Sequence, residues 1–323
     1  MSGAARRFYR ACGLSIGADS PVAGFRPTPV DGEPDVTVSL RGGLESVPPP
    51  GARALWYLSP ELDARGRPEM TIETDHQGYW LTYNGEATFF IDRAGARIVA
   101  HHSESVSDVE AAGYLAGSVL GFVLRLRGAV PLHASAIGVD GRALLFIGDA
   151  WAGKSSTAAA FSTLGYPVLA DDIVRIDIAH GEGLAHPGHP RLGLWSDSAG
   201  ALFGEPGDER SLSQEYQKRV FDPQGSGSLD ARPVPIAAIY LLGERLSEVS
   251  APPSIEPVPP SAALVALVRH TFGGSYLDRA MRALEFDVLC RLVDRVPVRQ
   301  LRFGDDLSAL QESCEVLAAM HRR

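Results

Sequence analysis

The stretch that most narrows the fold is Gly148-Asp149-Ala150-Trp151-Ala152-Gly153-Lys154-Ser155-Ser156. It fills the Walker A pattern G-x-x-x-x-G-K-[ST] completely, and such a loop works only between a buried strand and a helix. The neighbours supply both: the apolar run ALLFI precedes it and the Ala-rich KSSTAAAFST follows. Glycines let backbone N–H groups converge on phosphate oxygens, and the helix N-terminus adds its positive dipole end. Lys154 is expected to neutralise β- and γ-phosphates, and Ser155 to offer its hydroxyl to Mg²⁺. Residues 148 to 156 are therefore the expected nucleotide-binding loop. Trp151 stands where such loops usually carry something small. It either caps the nucleotide and screens it from water, or it packs against a neighbouring loop.

Strand, Gly-rich loop, helix and strand follow in order, with Gly165 as the stop of the helix and YPVLADDIVRID as one strand after it. That is the rhythm of an α/β nucleotide-binding unit. Asp171 and Asp172 close its apolar half, beside the loop, where one carboxylate can orient a metal and the other can take a proton from a hydroxyl. His133 lies in the preceding strand, LHASAIGVD. A lone histidine in an apolar strand is commonly a satisfied core residue. Parallel pairing with the loop strand would instead bring it near the γ-phosphate.

The first hundred residues read differently. DVTVSL, ALWYLS, MTIET, GYWLTY, ATFFID and ARIVAHH are short and rich in β-branched and aromatic residues, with turns at Asn84-Gly85 and near Gly95. They predict a small, mostly antiparallel β domain over residues 1–102, followed by an α/β domain over 103–323. Ser107 and Glu110 form a capping box for a helix running to about Arg127. Farther on, AAIYLLGE predicts a strand, SAALVALVRHTF and LDRAMRALEFDVLCRLVDRV predict helices, and SEVSAPPSIEPVPPS a loop with one short extended piece.

Composition removes several classes. With 45% hydrophobic and 21% charged residues in 323, the chain is globular. A net charge of −9 opposes binding to nucleic acid or to an anionic membrane surface. Cys12, Cys290 and Cys314 share no metal-ligand spacing and are expected as free thiols in a reducing compartment. The opening MSGAARRFYRACGLSIGA lacks a sustained apolar run, so no secretory signal is expected. GYLAGSVLGFVLRLRGAV carries Arg125 and Arg127 and reads as a buried helix end rather than a membrane span. A cytoplasmic protein is the expectation.

From His133 to Asp177 the chain resembles the catalytic core of HPr kinase/phosphorylase. That family reads roughly H-G-x-L-V-D, a strand, G-x-S-G-x-G-K-S-E, a helix, then R-G-H-x-L-V-A-D-D. The matching pieces here are LHASAIGVDG, GDAWAGKSS and LGYPVLADD, in matching spacing. The resemblance implies a P-loop kinase fold related to the nucleotide domain of phosphoenolpyruvate carboxykinase, with ATP and Mg²⁺ as cofactors and a serine hydroxyl as acceptor. It gives Asp171 the role of general base, Asp172 and Ser155 the metal, and His133 a place in the active site.

The departures point elsewhere within that fold. Ser156 replaces the family's Glu, the E-x-R-G-x-G signature is not found, and HPGHPRLGLW offers only Arg191 in its place. The Pro-Gly-Arg-Asn segment has no match. The chain is more similar to the HPr-kinase-like proteins of lasso peptide and other ribosomal-peptide clusters, which share LHASA, ADD, PRLxLW, DS…LFG and a later Lys-Arg pair, here Lys218-Arg219. VPVRQLRFGDDLSAL also looks like that group, and the likeness spans residues 105 to 315. It implies a kinase acting on a serine of a ribosomally made precursor peptide, in some cases at its C-terminus. HPr regulation and a nucleotide-binding scaffold without transfer are the alternatives. Arg191 is expected to counter charge on the transferring group. Lys218-Arg219 is either a phosphate or acceptor contact or a solvated surface pair. His186 and His189 have no partner at a zinc spacing and read as loop residues. Relatives of this kind are often oligomers, but no interface is legible in the sequence.

Overall fold

A computed structural model of the protein describes residues 6–40, 47, 51–188, 191–204, 219–221, 232–246, 252–304, 306–307 and 309–322. The chain divides into two compact units, Met1–Gly128 and Ala129–Arg323.

The first unit is an eight-stranded sheet: β1 (Arg7–Ala11), β2 (Leu14–Ala18), β3 (Val36–Ser39), β4 (Ala54–Leu58), β5 (Met70–Thr74), β6 (Gly78–Tyr83), β7 (Ala87–Asp92) and β8 (Arg97–His102). Their order is β1-β2-β3-β8-β7-β6-β5-β4, antiparallel except where β3 pairs parallel with β2 and β8. Asn84 and Gly85 both have positive φ at the centre of the tight turn that the Glu86 N–H closes onto the Tyr83 carbonyl. Cys12-Gly13 does the same between β1 and β2, a hairpin that the opening residues did not reveal as strands.

The helix after β8 consists of α1 (Asp108–Tyr114), a π turn (Leu115–Val119) and α2 (Leu120–Leu126). Ser107 caps it by accepting the Glu110 N–H at 3.2 Å, while the Glu110 carboxylate accepts the Tyr114 hydroxyl. By length and composition the helix Asp108–Leu126 is apolar enough to cross a membrane. Here Phe122 meets Tyr79 edge-on at 5.0 Å, and Tyr114 stacks on Tyr83 at 4.3 Å. Because it packs on the aromatic face of this sheet, the helix belongs to the first unit, and the division falls after Gly128 rather than at residue 102.

The second unit holds β9 (Val130–Val139), β10 (Arg142–Ile147), α3 (Lys154–Thr163), β11 (Val168–Ala170), β12 (Ile173–Ala179), β13 (Glu182–His186), β14 (Leu192–Leu194) and α4 (Ser196–Phe203). After these come β15 (Arg219–Phe221), β16 (Val234–Leu242), β17 (Ser254–Pro257), α5 (Pro260–Arg269), α6 (Arg279–Val293), β18 (Val298–Arg302) and α7 (Leu310–Ala319). The main sheet runs β10-β9-β12-β13-β16-β18-β17, with further β10–β16 and β11–β9 pairings. It is a mixed α/β layer covered on both faces. Ile137, Leu144, Phe146 and Tyr240 pack with α3, α4 and α7, while Ala134, Leu145, Ile147 and Ile239 pack with α5 and α6. Covering both faces explains why ALLFI is apolar without alternation.

Two expectations change. β9 and β10 are antiparallel, not parallel, because only Asp140-Gly141 joins them and so short a link can only make a hairpin. The run VLADDIV is not one strand either. Asp172 takes φ 73°, breaking it into β11 and β12, both antiparallel to β9.

Candidate active site

The antiparallel hairpin still delivers His133 to the loop. In its register Ala134 faces Ile147, so the start of β9 lies beside the end of β10, one residue before Gly148. Side chains of a strand alternate, so His133 and Ser135 share a face. Across β9, His133 pairs with Ile173, which puts the Asp171–Asp172 break opposite these same residues.

Within the loop, Gly148, Trp151 and Gly153 have φ of 158°, 70° and 96°. The φ at Gly153 requires glycine, and the Arg245 guanidinium lies close over it, 2.7 Å from where a β-carbon would stand. Lys154 is buried, and its ammonium donates to the loop carbonyls of Gly148 (2.9 Å) and Asp149 (3.2 Å).

Asp171 is the electrostatic centre. Its buried carboxylate accepts from Ser135 Oγ at 2.5 Å and from Ser155 Oγ at 3.2 Å. The Gly193 N–H of β14 also donates to it. Burial outweighs these donors and, with the charge of Asp172 beside it, raises its proton affinity above that of an ordinary aspartate. Asp172 points the other way: its Oδ1 lies 3.6 Å from His133 Nε2, and both side chains are about half exposed. His133 is thus a rim residue and not a core histidine, its ring stacked against Phe272. The hydroxyl expected to share a metal with Asp172 meets Asp171 instead.

Trp151 stacks on Trp195 with ring centroids 4.2 Å apart and still leaves 76% of its surface exposed. Ser156, at the expected Glu position, donates to Ser198 of α4 at 3.1 Å. Asp149 meets two residues that the sequence did not single out, Arg269 at 3.6 Å and His270 at 4.0 Å. Burial chiefly lowers the His270 pKa. Asp149 opposes that shift, and Lys154, Arg269 and His133 add to it. The His270 carbonyl accepts the His133 N–H at 2.8 Å, which ties the end of α5 to β9.

Of the other candidates, Arg191 is half-buried just ahead of β14, two residues before Gly193. Arg219 opens β15, with no described side chain, and Lys218 lies outside the described residues, as does His189. His186 ends β13 and is not in a loop. It is buried opposite Arg175, and burial, reinforced by Arg175, lowers its pKa to about 4. Among the described residues no cluster of three His, Cys, Asp or Glu side chains forms a metal site. Cys12 and Cys314 are buried free thiols and Cys290 a half-buried one.

Residues missed in the sequence fall into two kinds. Ser135 was accessible through the two-residue alternation from His133. Arg245, Arg269 and His270 were not, because they arrive through distant elements.

No protein-family model matches the chain, and no match to a curated protein is found. Among solved structures, the chain is similar to the HPr(Ser) kinase/phosphatase from Coxiella burnetii, at 14% identity and a TM-score of 0.32. The likeness covers 59% of this chain and 89% of that one. At that level it carries no argument about the site, whose chemistry rests on the geometry above.

Proposed function

We propose that this chain is an ATP-dependent kinase that transfers the γ-phosphoryl group to a serine hydroxyl of a ribosomally made precursor peptide. The observation that carries the reading is the Asp171 carboxylate, held between Ser135 and the loop hydroxyl of Ser155. A plain P-loop NTPase uses one acid beside the loop, to orient Mg²⁺, and has no use for a second carboxylate next to it. Transfer to a hydroxyl does. The precursor peptide as acceptor rests on the sequence resemblance.

The acceptor oxygen bonds to the γ-phosphorus as the bond from that phosphorus to the β–γ bridging oxygen breaks, and ADP leaves. The acceptor proton passes to Asp171, whose raised proton affinity suits a base working near neutral pH. Lys154, Arg191 and the loop N–H groups counter the charge spread over the phosphoryl oxygens. Ser155 and a carboxylate of the Asp pair would offer hard oxygen donors to Mg²⁺; the resemblance names Asp172 for this, while the Ser155 hydroxyl touches Asp171. When bound, that ion neutralises charge on the β- and γ-phosphates.

The test is transfer from γ-labelled ATP to a serine-ended precursor peptide, with HPr and a no-acceptor control in parallel. Labelled peptide is expected from the wild type and none from Asp171→Asn, which keeps ATP binding. Transfer by Asp171→Asn at the wild-type rate would remove the base assignment. A second reading, a nucleotide-binding scaffold, is favoured by Ser156, whose bond to Ser198 spends the position on packing. ATP binding with no labelled product from any acceptor would select it.

A further inference from the structure

In Trp151, side-chain size and backbone conformation conflict. Among the described residues, six that are not glycine have positive φ. Cys12, Asn84, Asp140 and His180 each precede a glycine in a tight turn between two strands, and Asp172 separates β11 from β12. Trp151, at φ 70°, is followed by Ala152 and serves neither purpose. This region is disfavoured for a bulky side chain, whereas glycine enters it freely.

The fold gains little in exchange. Trp151 stacks one face on Trp195, with centroids 4.2 Å and planes 14° apart. With 76% of its surface exposed, the other face is open, and most of its apolar area stays in water. A strained backbone that no packing repays is characteristic of positions kept for function.

The chain on either side fixes where the pair stands. Trp195 comes two residues after Gly193, whose N–H donates to the Asp171 carboxylate. Trp151 comes four residues before Ser155, whose hydroxyl donates to the same carboxylate at 3.2 Å. Two extended residues span at most about 7 Å. Both rings are therefore tethered close to the carboxylate that must face the acceptor hydroxyl, Trp195 through β14 and Trp151 through the loop. A chain that delivers a serine to Asp171 covers the distance to the pair in about two or three residues of its own.

We propose that Trp151 and Trp195 form a stacking platform for the acceptor, whose open face takes an aromatic side chain one to three residues from the serine that is phosphorylated. Near-parallel stacking at 4.2 Å is a geometry that a third ring extends. The inference rests on the kinase reading above and adds what the acceptor carries beside its serine.

The test uses γ-labelled ATP and serine-ended peptides with one Phe placed one, two or three residues before the serine. Peptides with Ala or with Lys at the same positions are run in parallel. For the wild type, one Phe position should lower the peptide KM by about fivefold relative to Ala. In Trp151→Gly, whose backbone suits φ 70°, that ratio should fall close to one. The same fall is expected in Trp195→Leu, which removes the backing ring and tests the pair should Trp151→Gly not fold. Each ratio is taken within one protein, so a variant that is slower overall can still be read. Equal KM for the Phe and Ala peptides in the wild type overturns the platform and leaves the kinase reading intact. A preference for Lys over Phe overturns the aromatic assignment, since a cation also binds a π face. A Phe preference that survives in the variants overturns it too, because the pair would then be structural only. No labelled peptide of any kind overturns both readings at once.

Discussion

Replacing Asp171 with Asn separates what this carboxylate does for catalysis from what it costs the fold. Three donors stabilise its charge, from Ser135, Ser155 and the Gly193 N–H, yet burial and Asp172 outweigh them. The folded chain therefore holds the Asp171 proton more tightly than the unfolded chain does. Below the unfolded pKa both states are protonated and the group favours folding fully. As pH rises through the raised folded value, that stability is lost. Each unit of pKa difference is worth about 1.36 kcal/mol. Asparagine keeps the shape, and the two hydroxyls can turn to suit an amide. It gives up charge-assisted bonds but never has to ionise. The expected net gain at pH 8 is on the order of 1–3 kcal/mol, the scale of relieving one desolvated polar group. At about 2–4 °C per kcal/mol for a unit of this size, the unfolding temperature rises by roughly 2–12 °C. Thermal unfolding of both proteins from pH 4 to pH 8, without nucleotide, is the assay. The difference should be near zero at pH 4 and grow with pH, while transfer to peptide is abolished. A difference that is constant or shrinks with rising pH would refute the reasoning, because Asp171 would then be stabilised in its charged form.

Asp172→Asn should raise the Mg²⁺ concentration needed for half-maximal transfer while Asp171→Asn lowers turnover at saturating Mg²⁺. The opposite pattern would exchange the two roles, as the Ser155–Asp171 contact would then explain. Trp151→Phe keeps an aromatic partner for Trp195 at an exposed position, so stability should change by less than about 1 kcal/mol. The ATP-induced change in tryptophan emission should largely vanish in that variant, and an intact signal would place Trp151 away from the nucleotide. His186, buried and lowered from 6.5 to about 4, stays neutral in the fold while the unfolded chain protonates. Stability is thus present above pH 6.5 and falls by about 3 kcal/mol as pH drops toward 4. His186→Gln should remove that acid sensitivity, and denaturant unfolding at pH 7 and pH 4.5 would show whether it does.

What could be read before folding was whatever local physics dictates. The loop, Asn84-Gly85, the Ser107 cap and the stop at Gly165 each follow from a few adjacent residues and a φ that only some of them tolerate. His133 and the Asp pair were legible as candidates for the same reason. Their geometry was not. Whether Asp171 or Asp172 meets Ser155 depends on the reversal at Asp172 and on the register of β11 and β12 against β9. Side-chain alternation carries no information about such a break. Arg245 and His270 lay further out of reach. Arg245 follows β16, which joins β10 from about a hundred residues away through a parallel pairing, and no turn in the sequence announces a parallel pairing. His270 ends a helix whose periodicity reports only that one side is buried, not which strand end it will roof. The same limit explains His186, where the surrounding His-Pro-Gly-His-Pro looks like a loop, yet pairing with Arg175 places its first histidine at the buried end of a strand. Local chemistry thus identified the phosphate loop and the groups able to move a proton. Long-range pairings determine which cations stand beside that loop. Substitutions at Asp171 and Ser135 should therefore alter transfer, measured as labelled peptide formed from γ-labelled ATP.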